Sequence, residues 1–149
     1  MASNWTNIYN TLTNESKKLF NDPVLVFPLS PYNNPINISQ QEIRFIFMTN
    51  NAIIFFAKTN GYNTNGFIDD DDPISLYILS KTGTNLTLIS PKDMNVLTCT
   101  VSRDGEIILV KLQKDKNNDK KFSNEDELIY QINLEKEYSK IKIYPIKLQ

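Results

Sequence analysis

The sequence contains no histidine among its 149 residues. This absence excludes histidine general bases, the Ser-His and Cys-His nucleophile systems, and histidine metal ligands. The phosphate-binding patterns G-x-x-x-x-G-K-[ST] and G-x-G-x-x-G are missing as well. Only paired carboxylates or a lysine remain as candidate catalytic groups, and we therefore expect a protein that is not an enzyme and has no catalytic residues.

Cysteine is almost as rare. The single one, Cys99, cannot form a disulfide within the chain. It lies between Thr98 and Thr100 in an alternating pattern that is typical of a strand. We expect a buried structural thiol rather than a reactive one.

Long apolar runs and strong net charge are also lacking. No run of 18 apolar residues predicts a membrane span. A net charge of −1 gives no field that would attract nucleic acid or an anionic membrane. Residues 1–4 lead into polar sequence, so we expect either a cytoplasmic protein or the mature region of a periplasmic or extracellular one. The protein partner and the oligomeric state stay open.

What is present fits one globular domain over residues 1–149, because 40% of the residues are hydrophobic. Apolar residues from Trp5 to Phe20 recur at helical spacings and predict one amphipathic helix that packs on the protein's own sheet. Pro23 ends this helix. A short strand, Val24–Leu29, and a loop complete an N-terminal segment, residues 1–41.

Residues 42–91 and 92–149 read as two repeats of four strands each. The strands of the first are predicted at Glu42–Thr49, Ala52–Lys58, Ile74–Ser80 and Leu86–Ser90. Those of the second are predicted at Val96–Ser102, Glu106–Gln113, Leu128–Leu134 and Ile141–Leu148. Residues 53–65 align with residues 107–119 without a gap, at an offset of 54. The sequence therefore predicts a mainly β protein of two four-stranded antiparallel meanders, which are typical of propeller blades.

The segment Val101–Val110, VSRDGEIILV, resembles the S-P-D-G-x-x-I-x-F motif of the TolB-like β-propeller repeat. Arg103 stands where that family usually has proline, and Asn50-Asn51 replaces Asp-Gly in the first repeat. The resemblance covers residues 42–148 and implies blade-like sheets in a bacterial, exported type of protein. Blades serve many roles, so it implies no particular activity.

Two blades are fewer than the four to eight or so of a propeller. The two sheets can pack face to face, several chains can complete a ring, or the N-terminal helix and strand can cover the open edges. The chain can also be part of something longer. We favour two packed sheets in one compact unit, partly covered by the N-terminal helix.

The chain from Asp115 to Glu127 has the ligand rhythm of a calcium loop, although strands rather than helices flank it. Positions one, three, five, seven and twelve of this loop are Asp115, Asn117, Asp119, Lys121 and Asp126. Lys121 would contribute its carbonyl oxygen, and Phe122 would anchor the loop in the core. Lys120 replaces the usual glycine at position six, and nearby lysines oppose a cation.

The first repeat carries a weaker version of the same loop. Its candidate calcium ligands are Asn63, Asn65, Asp69 and Asp72. Gly61 stands where the first aspartate belongs, so the loop has fewer charged ligands and we expect weaker binding than in the second repeat. Alternatively, both are solvated hairpin loops whose Asn and Asp side chains bond their own backbone.

Three functions follow from these patterns. The first is a non-catalytic binding or structural module, exported, with calcium-stiffened loops. The second is a cytoplasmic protein-interaction module without an ion. The third, an enzyme such as a glycosidase built on Asp69–Asp72, is disfavoured because adjacent acids on one loop do not form two separated, rigidly held carboxylates.

Overall fold

A computed structural model describes residues 7–10, 13–22, 24–26, 46–48, 52–59, 61–123, 127–134 and 141–146. Within these ranges the protein is mainly β and has no helix. The strands are β1 (Asn7–Asn10), β2 (Glu15–Lys18), β3 (Leu25–Val26), β4 (Ile46–Met48), β5 (Ala52–Lys58), β6 (Ser75–Ser80), β7 (Leu86–Leu88), β8 (Met94–Val101), β9 (Ile107–Lys114), β10 (Glu127–Leu134) and β11 (Ile141–Ile146). No helix in these ranges is long and apolar enough to span a membrane.

The predicted N-terminal helix is wrong for the described residues, because β1 and β2 form an antiparallel hairpin in which Ile8 pairs with Lys17. Asn14 adopts a left-handed conformation, φ 57°, just before β2, and this conformation breaks a right-handed helix. The Asn and Thr residues of this segment also have low helix propensity. The segment still packs on the sheet as expected, through Leu19 and Phe20 after β2.

Sheet 1 contains β3, β5, β6 and β7 in that order, with β4 also paired to β5. Leu25 of β3 pairs with Lys58, and Ile46 of β4 pairs with Phe55. Since β6 occupies the other edge of β5, β3 and β4 lie end to end along one edge. All the pairings are antiparallel.

Sheet 2 contains β8, β9, β10 and β11, each antiparallel to the next strand along the chain. The predicted turn at Asp104-Gly105 joins β8 to β9, with Gly105 at φ 77°. A register shift interrupts the pairing of β8 between Val96 and Thr98.

The 54-residue repeat is present in the strand registers. The pair Ile53–Leu79 joins β5 to β6 in sheet 1, and the pair Ile107–Asn133 joins β9 to β10 in sheet 2. Both members of the second pair lie 54 positions after those of the first. The pairing of β4 with β5 corresponds to that of β8 with β9 at the same offset. The central strands of the two sheets are therefore paired in the same register.

One apolar core lies between the sheets. Ile54 and Phe56 of β5 belong to the same buried cluster as Ile108 of β9 and Ile132 of β10. The opposite face of sheet 1 is covered by the chain after β2, where the Phe20 ring meets the ring of Tyr77 edge-on, with centroids 5.4 Å apart. Strand β5 of sheet 1 is thus buried on both faces, whereas Leu109 and Tyr144 of sheet 2 are exposed.

Cys99 is buried in the shared core, and burial raises the pKa of its thiol to about 12. Because the thiolate is the reactive form, we expect iodoacetamide at pH 8 to label Cys99 only after unfolding. The raised pKa stabilises the fold up to the unfolded thiol's pKa near 9, and this contribution is lost as the pH rises towards 12. Mass spectrometry with and without urea measures the labelling. Rapid labelling of the native protein would contradict the burial.

Candidate functional site

The predicted loops follow β5 and β9, at equivalent corners of the two sheets. Loop 1 is defined as residues 61–74 and loop 2 as residues 115–126, of which 124–126 lie outside the described residues. Candidate ligand Asp126 therefore lies outside the described part of loop 2. The other predicted ligands of both loops are described.

Loop 2 gathers three of its predicted ligands on one tight turn. The Asp115 carboxylate accepts hydrogen bonds from the backbone N–H of Asp119, at 3.1 Å, and from that of Lys120, at 3.0 Å. Asn117 Oδ1 accepts the Asp119 N–H at 3.2 Å. Asp119 Oδ1 accepts the Lys121 N–H at 2.9 Å. Each side chain thus folds back on the backbone a few residues ahead and shapes the turn.

Two left-handed residues bend each loop at matching places. Asn118 and Lys120 of loop 2 have φ 59° and 66°, and Thr64 and Gly66 of loop 1 have φ 62° and 87°. The loops are thus bent alike at a spacing of 54 residues. Lys120 occupies position six, which is glycine in calcium loops because the chain turns sharply there, and it adopts the left-handed conformation that glycine would supply more easily.

Loop 1 is organised by two carboxylates. Asp72 is 2% exposed, and it accepts backbone N–H groups from Tyr62 at 2.6 Å, Asn63 at 3.3 Å and Asp69 at 2.9 Å. The Asp69 carboxylate binds the side-chain amides of Asn65, at 2.6 Å, and Asn63, at 3.3 Å. Asn63, Asn65 and Asp69 therefore converge, while Asp72 holds the loop backbone.

Hydrogen bonds lower the pKa of one carboxylate in each loop. The pKa of Asp69 is lowered by the Asn65 amide, the Asp71 N–H and the Asn63 amide. At Asp115, partial desolvation opposes ionisation, but the Lys120 N–H, the Tyr62 hydroxyl and backbone donors outweigh it and lower the pKa. Each loop thus presents negative oxygen ligands, the kind that calcium prefers.

Lys58, at the end of β5, places an ammonium beneath loop 1. The residue is 4% exposed, and its Nζ donates to the carbonyl oxygens of Asp69 at 2.8 Å and Asp70 at 2.9 Å. The position 54 residues later is Leu112, which is fully buried. Loop 1 therefore carries an internal cation on its backbone, and loop 2 has an aliphatic side chain at the matching position.

The two loops touch each other. The Tyr62 hydroxyl of loop 1 donates to Asp115 Oδ2 of loop 2 at 3.1 Å, and the rings of Tyr62 and Phe122 lie 5.2 Å apart. Phe122 thus packs on the neighbouring loop. Between the loops lies a cleft of about 320 Å³. Its lining combines carboxylates with apolar and basic groups: Lys58, Asp70, Asp71, Asp72, Ile74, Asn95, Lys121 and Phe122.

Lys58 and Tyr62 were missed as parts of the site. A sequence signal exists for Lys58, because it ends an otherwise apolar strand where the second repeat has Leu112. None exists for Tyr62, whose partner Asp115 is 53 residues away. Among the described residues, no group of three or more Cys, Asp or Glu side chains is placed to hold a metal.

Comparison with protein-family models, curated proteins and solved structures finds no match to this chain.

Proposed function

We propose that this chain is a non-catalytic binding or structural module, built from TolB-like blade repeats, in which loop 2 binds calcium. The observation that carries the proposal is the turn that brings Asp115, Asn117 and Asp119 together with position six in the left-handed conformation. Two carboxylates and a carboxamide offer oxygen ligands, which favour calcium over the softer transition metals.

The hydrogen bonds within loop 2 leave room for an ion. A carboxylate has about four acceptor sites, and Asp119 accepts the Lys121 N–H and one amide hydrogen from Asn117. Asn117 Oδ1 accepts the Asp119 N–H at 3.2 Å and has a second lone pair. The oxygens of Asn117 and Asp119 can therefore bind calcium without a new backbone path.

Loop 1 is the weaker candidate for two structural reasons. The Asp72 carboxylate is buried and already surrounded by three backbone N–H groups, whereas Asp115, which also accepts three hydrogen bonds, is partly exposed. The Lys58 ammonium lies against the carbonyls of Asp69 and Asp70, and a positive charge there opposes a second cation nearby. The order of affinity, loop 2 above loop 1, agrees with the carboxylates among the candidate ligands, which are three in loop 2 (Asp115, Asp119 and Asp126) and two in loop 1 (Asp69 and Asp72).

The protein is expected to bind calcium with a Kd of about 10⁻⁴–10⁻³ M, the range of extracellular calcium modules. This range also motivates the proposal of a periplasmic or extracellular location. Calorimetric titration of the Asp119→Ala variant should show the affinity weakened by at least about tenfold, because one charged ligand is lost. Asp22→Ala, which removes an exposed carboxylate outside the loops, should bind as the wild type does.

Two results would reject calcium binding at loop 2. One is the absence of binding heat at millimolar calcium. The other is binding that survives Asp119→Ala but is lost in Asp72→Ala, which would assign the ion to loop 1.

The second candidate function is a cytoplasmic protein-interaction module without an ion. It is favoured by the loop carboxylates, which are hydrogen-bonded within the protein itself. Leu109 and Tyr144, 43% and 47% exposed on sheet 2, add apolar contact area. A melting temperature that chelator leaves unchanged, together with no calcium heat, favours this function over the first.

A further inference from the structure

The outer face of sheet 2 consists of three rows of side chains that run across its strands. Direct neighbours in antiparallel strands point to the same face, so the strand registers give the members of each row. The central row is Thr100, Leu109, Gln131 and Tyr144, and the flanking rows are Thr98, Lys111, Ile129 and Ile146, and Ile107, Asn133 and Lys142. None of these side chains is buried. Five of the eleven are Ile, Leu or Tyr, although the open face of an antiparallel sheet is normally polar.

The corresponding face of sheet 1 is covered by the protein itself. Phe55 stands 54 positions before Leu109, and it is 4% exposed. The Phe20 ring covers it edge-on, with the ring centroids 6.3 Å apart. Leu109 is 43% exposed in contrast. The repeat thus places apolar surface of the same kind under cover in sheet 1 and in solvent in sheet 2.

The two lysines of the three rows leave the centre of this face uncharged. Lys111 forms an ion pair with Glu127, with Nζ 2.5 Å from the carboxylate. Lys142 lies on β11, at the edge of the sheet. A face without net charge at its centre does not select an oppositely charged partner, and two such faces can meet without like-charge repulsion.

We propose that the outer face of sheet 2 binds the same face of a second copy of this chain, related by a two-fold axis along the central row. This axis places Leu109 against Leu109, and Tyr144 against Tyr144, of the second copy. It reverses the order of the flanking rows, so Lys111 meets Ile107 of the second copy and Lys142 also meets an isoleucine. A contact of this kind closes at two copies, and it does not depend on calcium binding at loop 2.

The size of the face sets the expected strength of the contact. Strands β8, β9 and β10 are each eight residues long. At about 3.3 Å per residue and about 4.8 Å between strands, the four-stranded face covers about 500 Å². Two such faces bury about 1,000 Å² in total, which is the lower limit of specific interfaces. We therefore expect a weak dimer that forms only in concentrated solution.

Sedimentation equilibrium of the full chain between about 10 μM and about 1 mM protein measures the association. The average mass of the wild type should rise from that of one chain towards that of two. Leu109→Lys should stay at the mass of one chain, because two ammonium groups then meet at the axis. Phe67→Lys makes the same charge change at a side chain in loop 1 that is 74% exposed, and it should associate as the wild type does. Circular dichroism checks that each variant is folded.

A mixture of two charge variants tests the two-fold axis itself. Leu109→Glu should also stay at the mass of one chain. An equimolar mixture of Leu109→Lys and Leu109→Glu should associate, because opposite charges then face each other across the axis.

Three results would overturn the proposal. A wild type that stays monomeric throughout the concentration range would mean that a second copy does not cover this face. Association of Leu109→Lys equal to that of the wild type would place the contact elsewhere on the molecule. A mixture that associates no better than either variant alone would reject the meeting of the two Leu109 positions.

Discussion

Replacement of Phe56 by alanine is expected to lower the free energy of unfolding by about 3–5 kcal/mol. Phe56 is fully buried, and it lies on the inner face of β5 in the cluster that joins the two sheets. Removal of its ring takes away apolar contacts and leaves a cavity that a sheet-on-sheet core cannot fully collapse. Urea unfolding followed by circular dichroism measures the change.

The matched control is Phe67→Ala in loop 1. Phe67 is 74% exposed, so its loss should change the stability by no more than about 0.5 kcal/mol. The comparison separates burial from residue type. A Phe56→Ala variant within 1 kcal/mol or so of the wild type would mean that the two sheets do not share a packed core.

Much of the strand arrangement could be predicted from the sequence. Alternating or continuous apolar residues locate strands well, and β5 was predicted at its observed bounds, Ala52–Lys58. The 54-residue offset read from the sequence reappears in the pairing of Ile107 with Asn133. Strand patterns are local, and an internal repeat is found by comparing the sequence with itself, so one sequence suffices to find both.

The N-terminal segment shows where local patterns fail. Apolar residues spaced by three or four also fit a hairpin whose following residues, Leu19 and Phe20, reach the sheet. The outer face of sheet 1 needs apolar cover for Phe55 and Tyr77, and the Phe20 ring lies 6.3 Å from the Phe55 ring. Packing of the segment on this face outweighs its weak helical periodicity.

The loops likewise contain one feature that could be predicted from the sequence and one that could not. The turn that joins Asp115, Asn117 and Asp119 could be predicted from their spacing, because hydrogen bonds across two to five residues shape it, and their role as calcium ligands stays a prediction. The contact of Tyr62 with Asp115 crosses 53 residues and joins the two repeats, and no spacing rule predicts it. The TolB-like blade interpretation stays a proposal supported by the equal registers of the central strands.

Lys58 provides the second large effect, because its ammonium is almost entirely removed from water. Its Nζ donates to two carbonyl oxygens, of Asp69 and Asp70, and lies 4.0 Å from the Asp70 carboxylate. Hydrogen bonds to charged groups contribute about 1.5–3 kcal/mol, more than neutral ones. The lysine thus supports loop 1 from below at the cost of its own desolvation.

The ionisation of Lys58 gives this effect a pH dependence. Burial lowers the pKa of Lys58 below 10.5, against the raising influence of Asp70, Asp72 and the other loop aspartates. The unfolded chain therefore holds this proton more strongly than the folded protein does. Between the lowered pKa and 10.5, the stability contributed by this residue rises with pH.

Replacement of Lys58 by methionine, which keeps the aliphatic stem, is expected to lower the free energy of unfolding at pH 7 by about 2–3 kcal/mol. The difference from the wild type should widen between the lowered pKa of Lys58 and 10.5, because the variant lacks the proton equilibrium of Lys58. Lys121→Met, an exposed lysine that lines the same cleft, is the control and should change stability by less than about 0.5 kcal/mol. Urea titrations at several pH values from 7 to 10 or so measure both variants. Equal stabilities of Lys58→Met and Lys121→Met would show that the ammonium does not hold loop 1.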